Sequence, residues 1–320
     1  MAATRLADLG EFGLIGRIRE RFRAPEGVTG IGDDCAVIPQ RSGSDTLVST
    51  DMLVEGTHFL RGDIPPYRLG WKSAAVNLSD IAAMGGRPTA TFLSVALPAD
   101  LEAGWMEAFL RGYAELSERF GAALLGGDTT ASPDRICINV AVLGECPSRT
   151  ARLRSTARPG DLICVTGCLG DSAGGLKAIL EGVERDADVQ ALIDRHYLPL
   201  PRVEEGLRLA ATPGVHAMMD ISDGIGSDLL HILDASGAGA VVDVPSLPIS
   251  AALQRVCRRQ GWDAAALAAG GGEDYELLFT CTPEAEQALD VPYFVIGEMT
   301  AQGGLQGLEG LSGFDHFRKP

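Results

Sequence analysis

Carboxylates gather in six short segments rich in Gly, Ser, Thr or Asn: Gly30–Asp34 (GIGDD), Ser49–Asp51 (STD), Asn77–Asp80 (NLSD), Gly126–Thr130 (GGDTT), Asp220–Gly224 (DISDG) and Gly271–Glu276 (GGEDYE). Oxygen ligands of this kind suit hard divalent cations, and Mg²⁺ takes one or two carboxylates, waters and substrate phosphates. Neighbouring glycines let backbone N–H groups approach an anion closely. Together these features describe a phosphate site neutralised by metal. Each segment alone also fits a plainer role: GIGDD and GGEDYE as turns, Asp51 as a charge guarding a strand edge, Ser222 or Asp223 as a helix N-cap. Asp80 is harder to dismiss. It shares a helix face with Asn77 among Leu78, Ile81, Ala82 and Ala83, where a carboxylate needs a partner.

The composition bears on the same question. The 320 residues carry 27 basic and 43 acidic side chains, a formal charge of −16, and only three of the basic residues are Lys (Lys72, Lys177, Lys319). Such a balance argues against general binding to nucleic acid or anionic lipid and favours metal ions as the bridge to any phosphate. Seven scattered cysteines point to a reduced, cytoplasmic protein rather than a disulfide scaffold. Met1–Glu11 lacks the apolar core of a signal peptide, and no apolar run is long enough to span a membrane.

Other motifs discriminate by absence. No P-loop, zincin H-E-x-x-H, kinase H-R-D or post-strand G-x-G-x-x-G string occurs. Gly170–Gly174 (GDSAG) does match G-x-S-x-G, with His196, His216, His231 and His316 available as partners. The plainer reading is a glycine-rich helix start capped by Asp171 or Ser172.

The elements that must position these residues alternate between strand and helix. Periodicity predicts helices at Glu11–Arg23, Tyr67–Met84, Leu101–Phe120, Asp171–Glu184 and Ser227–Leu233. Strands are expected at Cys35–Ile38, Thr46–Asp51, Thr89–Leu97, Ala122–Leu125, Ile136–Leu143, Asp161–Thr166, Val215–Ile221, Ala240–Val244, Tyr275–Cys281 and Tyr293–Ile296. GGDTT is then a turn after its strand, and alternation puts Asp220 and Ser222 on one strand face. The class is α/β or α+β with two layered halves, divided near the polar, Arg-rich stretch Cys146–Pro159 into residues 1–148 and 149–320.

Taken in order, ten segments resemble the thiamine-monophosphate kinase family of the aminoimidazole ribonucleotide synthetase-like superfamily. They are Gly10–Ile18 (GEFGLIGRI), Gly30–Ile38 (GIGDDCAVI), Ser49–Phe59 (STDMLVEGTHF), Ala74–Pro88 (AAVNLSDIAAMGGRP), GGDTT, Val165–Leu176 (VTGCLGDSAGGL), His196–Val203 (HYLPLPRV), Asp220–Leu229 (DISDGIGSDL), Gly271–Phe279 (GGEDYELLF) and Gly313–Phe317 (GFDHF). The resemblance implies a two-domain fold. Its N-terminal ATP- and metal-binding half dimerises through its sheet, and a C-terminal α/β half closes over the site. It implies ATP-dependent phosphorylation of thiamine phosphate to thiamine diphosphate with several Mg²⁺ ions, in a cytoplasmic homodimer without nucleic-acid or membrane partners.

Carried over position by position, the resemblance implies metal contacts at Asp34, Ser49, Thr50, Asp51, Asp80, Asp128, Asp220 and Asp223. It implies nucleotide contacts at Gly127, Asp128, Arg154 and Ser222, with Arg152 and Arg158 as neighbours of Arg154. Thiamine-side contacts fall on His58, Glu273 and Phe314. No residue is expected to act as a general base, because the acceptor phosphate, with a second pKa of about 6, is already largely anionic at neutral pH.

A selenophosphate or aminoimidazole ribonucleotide synthetase-like activity is the alternative within the superfamily. The first 34 residues contain no Cys, although selenophosphate synthetases usually carry a reactive one in their N-terminal loop. A non-catalytic nucleotide- or metal-binding protein is the alternative outside it, and its signature would be loss of the clustered aspartates, all of which are present.

Overall fold

A computed structural model describes residues 42–308, together with Arg17, Ile18, Glu20–Arg23 and Pro25. The expected strand Cys35–Ile38, and the segments GIGDD and GFDHF with Asp34, Phe314 and His316, lie outside the described residues. The chain divides into two compact units, Met1–Ile81 with Arg87–Arg149 and Ala82–Gly86 with Thr150–Pro320, and each is described by itself.

In the first unit, period-two alternation makes half-buried strands. Ile138, Val140 and Val142 of β4 (Cys137–Pro147) are buried, while the residues between them are only partly covered. Strand β4 pairs antiparallel with β1 (Ser44–Val54) and with β2 (Arg87–Pro98), and β2 pairs parallel with β3 (Ala123–Ser132), giving the order β1-β4-β2-β3. The parallel pair is joined through helix α2 (Ala103–Arg119). Helix α1 (Pro66–Ala83) approaches α2 closely through two glycines. A Cβ on Gly70 would lie 1.9 Å from the Phe109 carbonyl oxygen, and one on Gly112 would lie 1.8 Å from that of Tyr67.

The expected turn at GGDTT is corrected. Strand β3 runs straight through it, because Gly126 and Gly127 let the backbone lie tight against β2. A Cβ on Gly127 would sit 1.8 Å from the Leu93 carbonyl oxygen.

The second unit holds a six-stranded sheet in the order β10-β7-β9-β5-β8-β6. Its strands are β5 (Leu162–Val165), β6 (Val215–Asp220), β7 (Gly239–Val242), β8 (Leu277–Cys281), β9 (Phe294–Thr300) and β10 (Gly304–Gln306). All pairings are antiparallel except β10 with β7. Its helices are α3 (Asp171–Leu180), α4 (Ala187–Tyr197), α5 (Val203–Ala211), α6 (Ile225–Ser236), α7 (Ala251–Gln260), α8 (Ala264–Gly270) and the short α9 (Pro283–Glu286). One apolar core joins the sheet to α6, with Val165, Met219, Leu278 and Ile296 facing Ile225, Leu229 and Ile232.

Two expectations fail here. Strand β6 stops at Asp220, so Ser222 does not share its face, and β8 starts at Leu277 rather than Tyr275. Ahead of β8, Glu273 and Tyr275 adopt positive φ, 63° and 50°, outside the strand region, so that strand begins only at Leu277. Among the described residues, no helix is long and apolar enough to cross a membrane.

Candidate functional site

Alternation along β1 turns Ser49 and Asp51 toward α1. Ser49 Oγ donates to Asp80 Oδ2 at 2.5 Å, and the Asp51 N–H donates to Asn77 Oδ1 at 3.1 Å. Asn77 Nδ2 in turn donates to the Ser73 carbonyl one helical turn earlier, at 3.0 Å, which fixes the amide orientation. The Asp51 carboxyl is pushed up to about 6, first by burial and then by the charge of Asp80 beside it. A partly buried carboxylate raised by the charge of its neighbour makes a site that a divalent cation would relieve.

Thr50 faces the other side of the sheet. Its hydroxyl donates to the Val140 carbonyl at 3.0 Å and accepts from Asn139 Nδ2 at 2.9 Å. A metal contact from Thr50 would therefore come from its main chain. His58 Nδ1 accepts the Val54 N–H at 2.9 Å, so the neutral ring carries its proton on Nε2. Gly127 and Asp128 stand on β3, at the sheet edge opposite β1, three strand spacings or about 14 Å across. Asp128 is exposed, and its Oδ1 accepts the Thr129 N–H at 2.9 Å. The first unit thus brings Ser49, Asp51, Asn77 and Asp80 together and keeps Asp128 apart.

In the second unit, Asp220 ends β6 and residues Ser222–Gly224 turn into α6. The expected N-cap by Ser222 or Asp223 is corrected: Gly224 is the cap residue, and it contributes no side chain. Asp228, in the first turn of α6, instead accepts the N–H groups of Ser222, Asp223 and Gly224 at 3.1, 3.2 and 3.1 Å. Its carboxyl is pushed up to about 7, by burial first and by Asp223 second. The Ser222 carbonyl accepts the Glu273 N–H at 2.7 Å, which lays DISDG alongside GGEDYE. A Cβ on Gly272 would lie 2.4 Å from that same carbonyl oxygen, so glycine is required there.

The G-x-S-x-G segment meets a histidine, but not as a nucleophile elbow. Buried Ser172 Oγ lies 3.0 Å from His196 Nδ1, and Glu273 Oε2 lies 3.4 Å from that same nitrogen. A nucleophile–base–acid relay uses both ring nitrogens and an exposed serine. Neither Asp171 nor Ser172 caps the helix as expected. Gly170 is the N-cap residue, and Asp274 reaches across to accept the Gly170 and Ser172 N–H groups at 2.7 and 3.3 Å.

Arg154 is exposed in a single 3-10 turn spanning Arg154–Thr156. Of its neighbours, Arg152 is engaged with the Ala210 carbonyl, and the Arg158 N–H donates to Asp161 Oδ2 at 2.8 Å.

Sequence reasoning missed Asp228, Asp274 and Glu276. Glu276 is 0% exposed and accepts from Arg202 Nη2, Arg202 Nε, Arg195 Nη2 and Thr166 Oγ1 at 2.5, 2.7, 2.8 and 2.7 Å. An acid in the first turn of a helix was the available signal for Asp228. Nothing local signals Glu276, whose arginine partners lie 74 and 81 residues away in the chain. Among the described residues, no three His, Cys, Asp or Glu side chains form a ready-made metal cage. The Asp51–Asp80 pair fits Mg²⁺, which needs only one or two carboxylates when waters and phosphates complete its shell.

Residues 32–146 match the N-terminal domain, and residues 158–308 the C-terminal domain, of AIR synthase related protein. The chain is 42% identical to the thiamine-monophosphate kinase of Salmonella typhimurium, over 97% of this chain and 99% of that protein. Among solved structures it is similar to the thiamine-monophosphate kinase of Stenotrophomonas maltophilia, with TM-score 0.83 and 39% identity over 92% of this chain and 95% of that one. It is also similar to AaThiL complexed with AMPPCP and TMP, with TM-score 0.81 and 35% identity over 99% of this chain and 100% of that one.

Proposed function

Because the chain belongs to the thiamine-monophosphate kinase family, we propose that the clustered aspartates serve ATP-dependent phosphorylation of thiamine phosphate to thiamine diphosphate. A phosphate oxygen of thiamine phosphate attacks the γ-phosphorus of ATP, the bond to the β-phosphate oxygen breaks, and ADP leaves. The acceptor oxygen is already anionic, so no side chain has to remove a proton. The barrier is repulsion between two anions and the charge spreading over the transferred group.

The single observation that carries this reading is the Asp51–Asp80 pair, whose mutual repulsion calls for an external cation. In the first unit Asp51, Asp80, Ser49, Thr50, Asp34 and Asp128 would hold Mg²⁺, and in the second Asp220 and Asp223. Bound there, Mg²⁺ neutralises phosphate oxygens. Gly127, Asp128, Arg154 and Ser222 bind the nucleotide, and His58, Glu273 and Phe314 bind the thiamine side. Residues 1–148 form the half that binds ATP and metal, and residues 149–320 form the C-terminal half. The outer face of the first sheet, with Val48 68% and Met52 57% exposed, supports a homodimer through that sheet. The protein works in the cytoplasm, without nucleic-acid or membrane partners.

The test is a coupled assay of the purified chain with ATP and thiamine phosphate. Thiamine diphosphate forms with Mg²⁺ and ceases to form with a chelator. No product in the Mg²⁺-loaded assay overturns the activity, and turnover unaffected by the chelator overturns the role of the metal.

A further inference from the structure

The segment Gly271–Glu276 is held in an unfavourable backbone shape from both sides. Glu273 and Tyr275 both sit at positive φ, 63° and 50°, where side chains other than glycine are strained. That conformation persists only if the surroundings over-determine it, and the anchors are visible. Asp274, between the two strained residues, is buried and accepts the Gly170 and Ser172 N–H groups at 2.7 and 3.3 Å. Glu276 is clamped by Arg195, Arg202 and Thr166. The N–H groups of Glu273 and Tyr275 donate to the Ser222 and Ile221 carbonyls at 2.7 and 2.9 Å.

Residues 274 and 276 therefore point inward onto fixed partners, and Glu273 is the residue of the segment whose side chain stays partly exposed. Its carboxylate oxygen Oε2 lies 3.4 Å from His196 Nδ1, and that same nitrogen lies 3.0 Å from Ser172 Oγ. Ser172 thus appears twice: its N–H binds Asp274 and its hydroxyl binds the histidine that faces Glu273. Both the backbone and the side chain of Glu273 are referred to the first turn of α3.

We infer that Asp274 is a positioning residue: by tying residues 273–275 to the first turn of α3 it holds the Glu273 carboxylate where it meets the thiamine side of the substrate. The inference rests on the proposed substrate contact of Glu273 and goes beyond it. Asp274 itself is buried and makes no contact with substrate. Its work is done through its neighbour.

The experiment uses the full-length, Mg²⁺-loaded enzyme and four variants, with KM for thiamine phosphate and for ATP, kcat, and calorimetric affinity for thiamine phosphate. Asp274→Ala raises KM for thiamine phosphate about tenfold, the scale of losing a hydrogen bond, and leaves KM for ATP within about twofold. Asp274→Asn, which keeps an acceptor for the Gly170 N–H, recovers most of that loss. Glu273→Gln raises the same KM, and adding Asp274→Ala to it costs no more. Equal changes in both KM values, or additive effects of the two substitutions, overturn the inference.

A wild-type chain that neither turns over nor binds thiamine phosphate overturns the proposed function and this inference together. If Glu273→Gln leaves KM unchanged in an active enzyme, the substrate contact of Glu273 fails and takes the inference with it. Should Asp274→Ala not fold, Asp274→Ser keeps a small acceptor and is read in the same way. Failure of both to fold while Glu273→Gln folds makes Asp274 a determinant of the fold alone and overturns the proposal.

Discussion

Asp51 in the first unit is partly buried and Glu276 in the second fully so, yet their surroundings are opposite. Glu276 receives four hydrogen bonds, three of them from two arginines, so its charge is answered within the protein. Asp51 lies beside a second carboxylate, Asp80, and its carboxyl is raised to about 6. A buried charge that the fold satisfies is part of the scaffold. One that the fold leaves facing a like charge is destabilised in its ionised form, and a cation arriving from outside relieves it. The difference separates an acid held by the scaffold from one proposed to meet a ligand, without reference to where either lies in the sequence.

Three substitutions test that separation. Glu276→Ala has the largest expected effect on stability, about 3–5 kcal/mol, because it leaves the partly buried Arg202 guanidinium without its main partner. Chemical denaturation with and without substrates measures it, and a loss below about 1 kcal/mol would place Glu276 among ordinary surface pairs.

Asp80→Asn should do the reverse. Turnover falls by about a hundredfold to a thousandfold, on the scale of removing one electrostatic stabiliser of the transition state, while the melting temperature of the metal-free protein holds or rises. A large fall in melting temperature would instead make Asp80 structural.

The smallest effect is a pH slope. A carboxyl raised from 3.8 to about 6 stabilises the folded state in its protonated form. That contribution is complete below pH 3.8 and is lost as pH rises through about 6. At 1.36 kcal/mol per unit it amounts to about 3 kcal/mol. Asp228, raised to about 7, adds a second component of the same sign. The informative quantity is therefore the difference in metal-free stability between Asp51→Asn and wild type, measured from about pH 4 to about pH 8. That difference grows in favour of the variant as pH rises and flattens above about 6. A difference independent of pH would mean that Asp51 is ionised throughout.

Much of the architecture was legible because burial on one face imposes period two on strands and a repeating apolar stripe on helices. Helix α1 and strands β2 and β4 fall within a few residues of their expected positions for that reason. The pairing of Asp51 with Asp80 is compatible with local reasoning, since Asp80 stands out on an apolar helix, but its partner is 29 residues away in the chain. GGDTT misled because glycines also serve close strand packing, as Gly127 against Leu93 does. The start of β8 misled because apolar residues continue back to Tyr275 while the backbone there turns to positive φ.

By itself the sequence determined the α/β class, the ordered set of aspartate segments and, through them, the family. These depend on residue type and short-range spacing, which the chain carries before it folds. Only the tertiary structure decided which acids are answered and which are not. Arg195, Arg202 and Thr166 reach Glu276, Asp228 rather than Ser222 or Asp223 holds the turn into α6, and Asp274 holds the start of α3. A carboxylate's protonation and role follow from the charges and N–H groups within a few ångströms of it, and those neighbours are brought there from distant parts of the chain by packing.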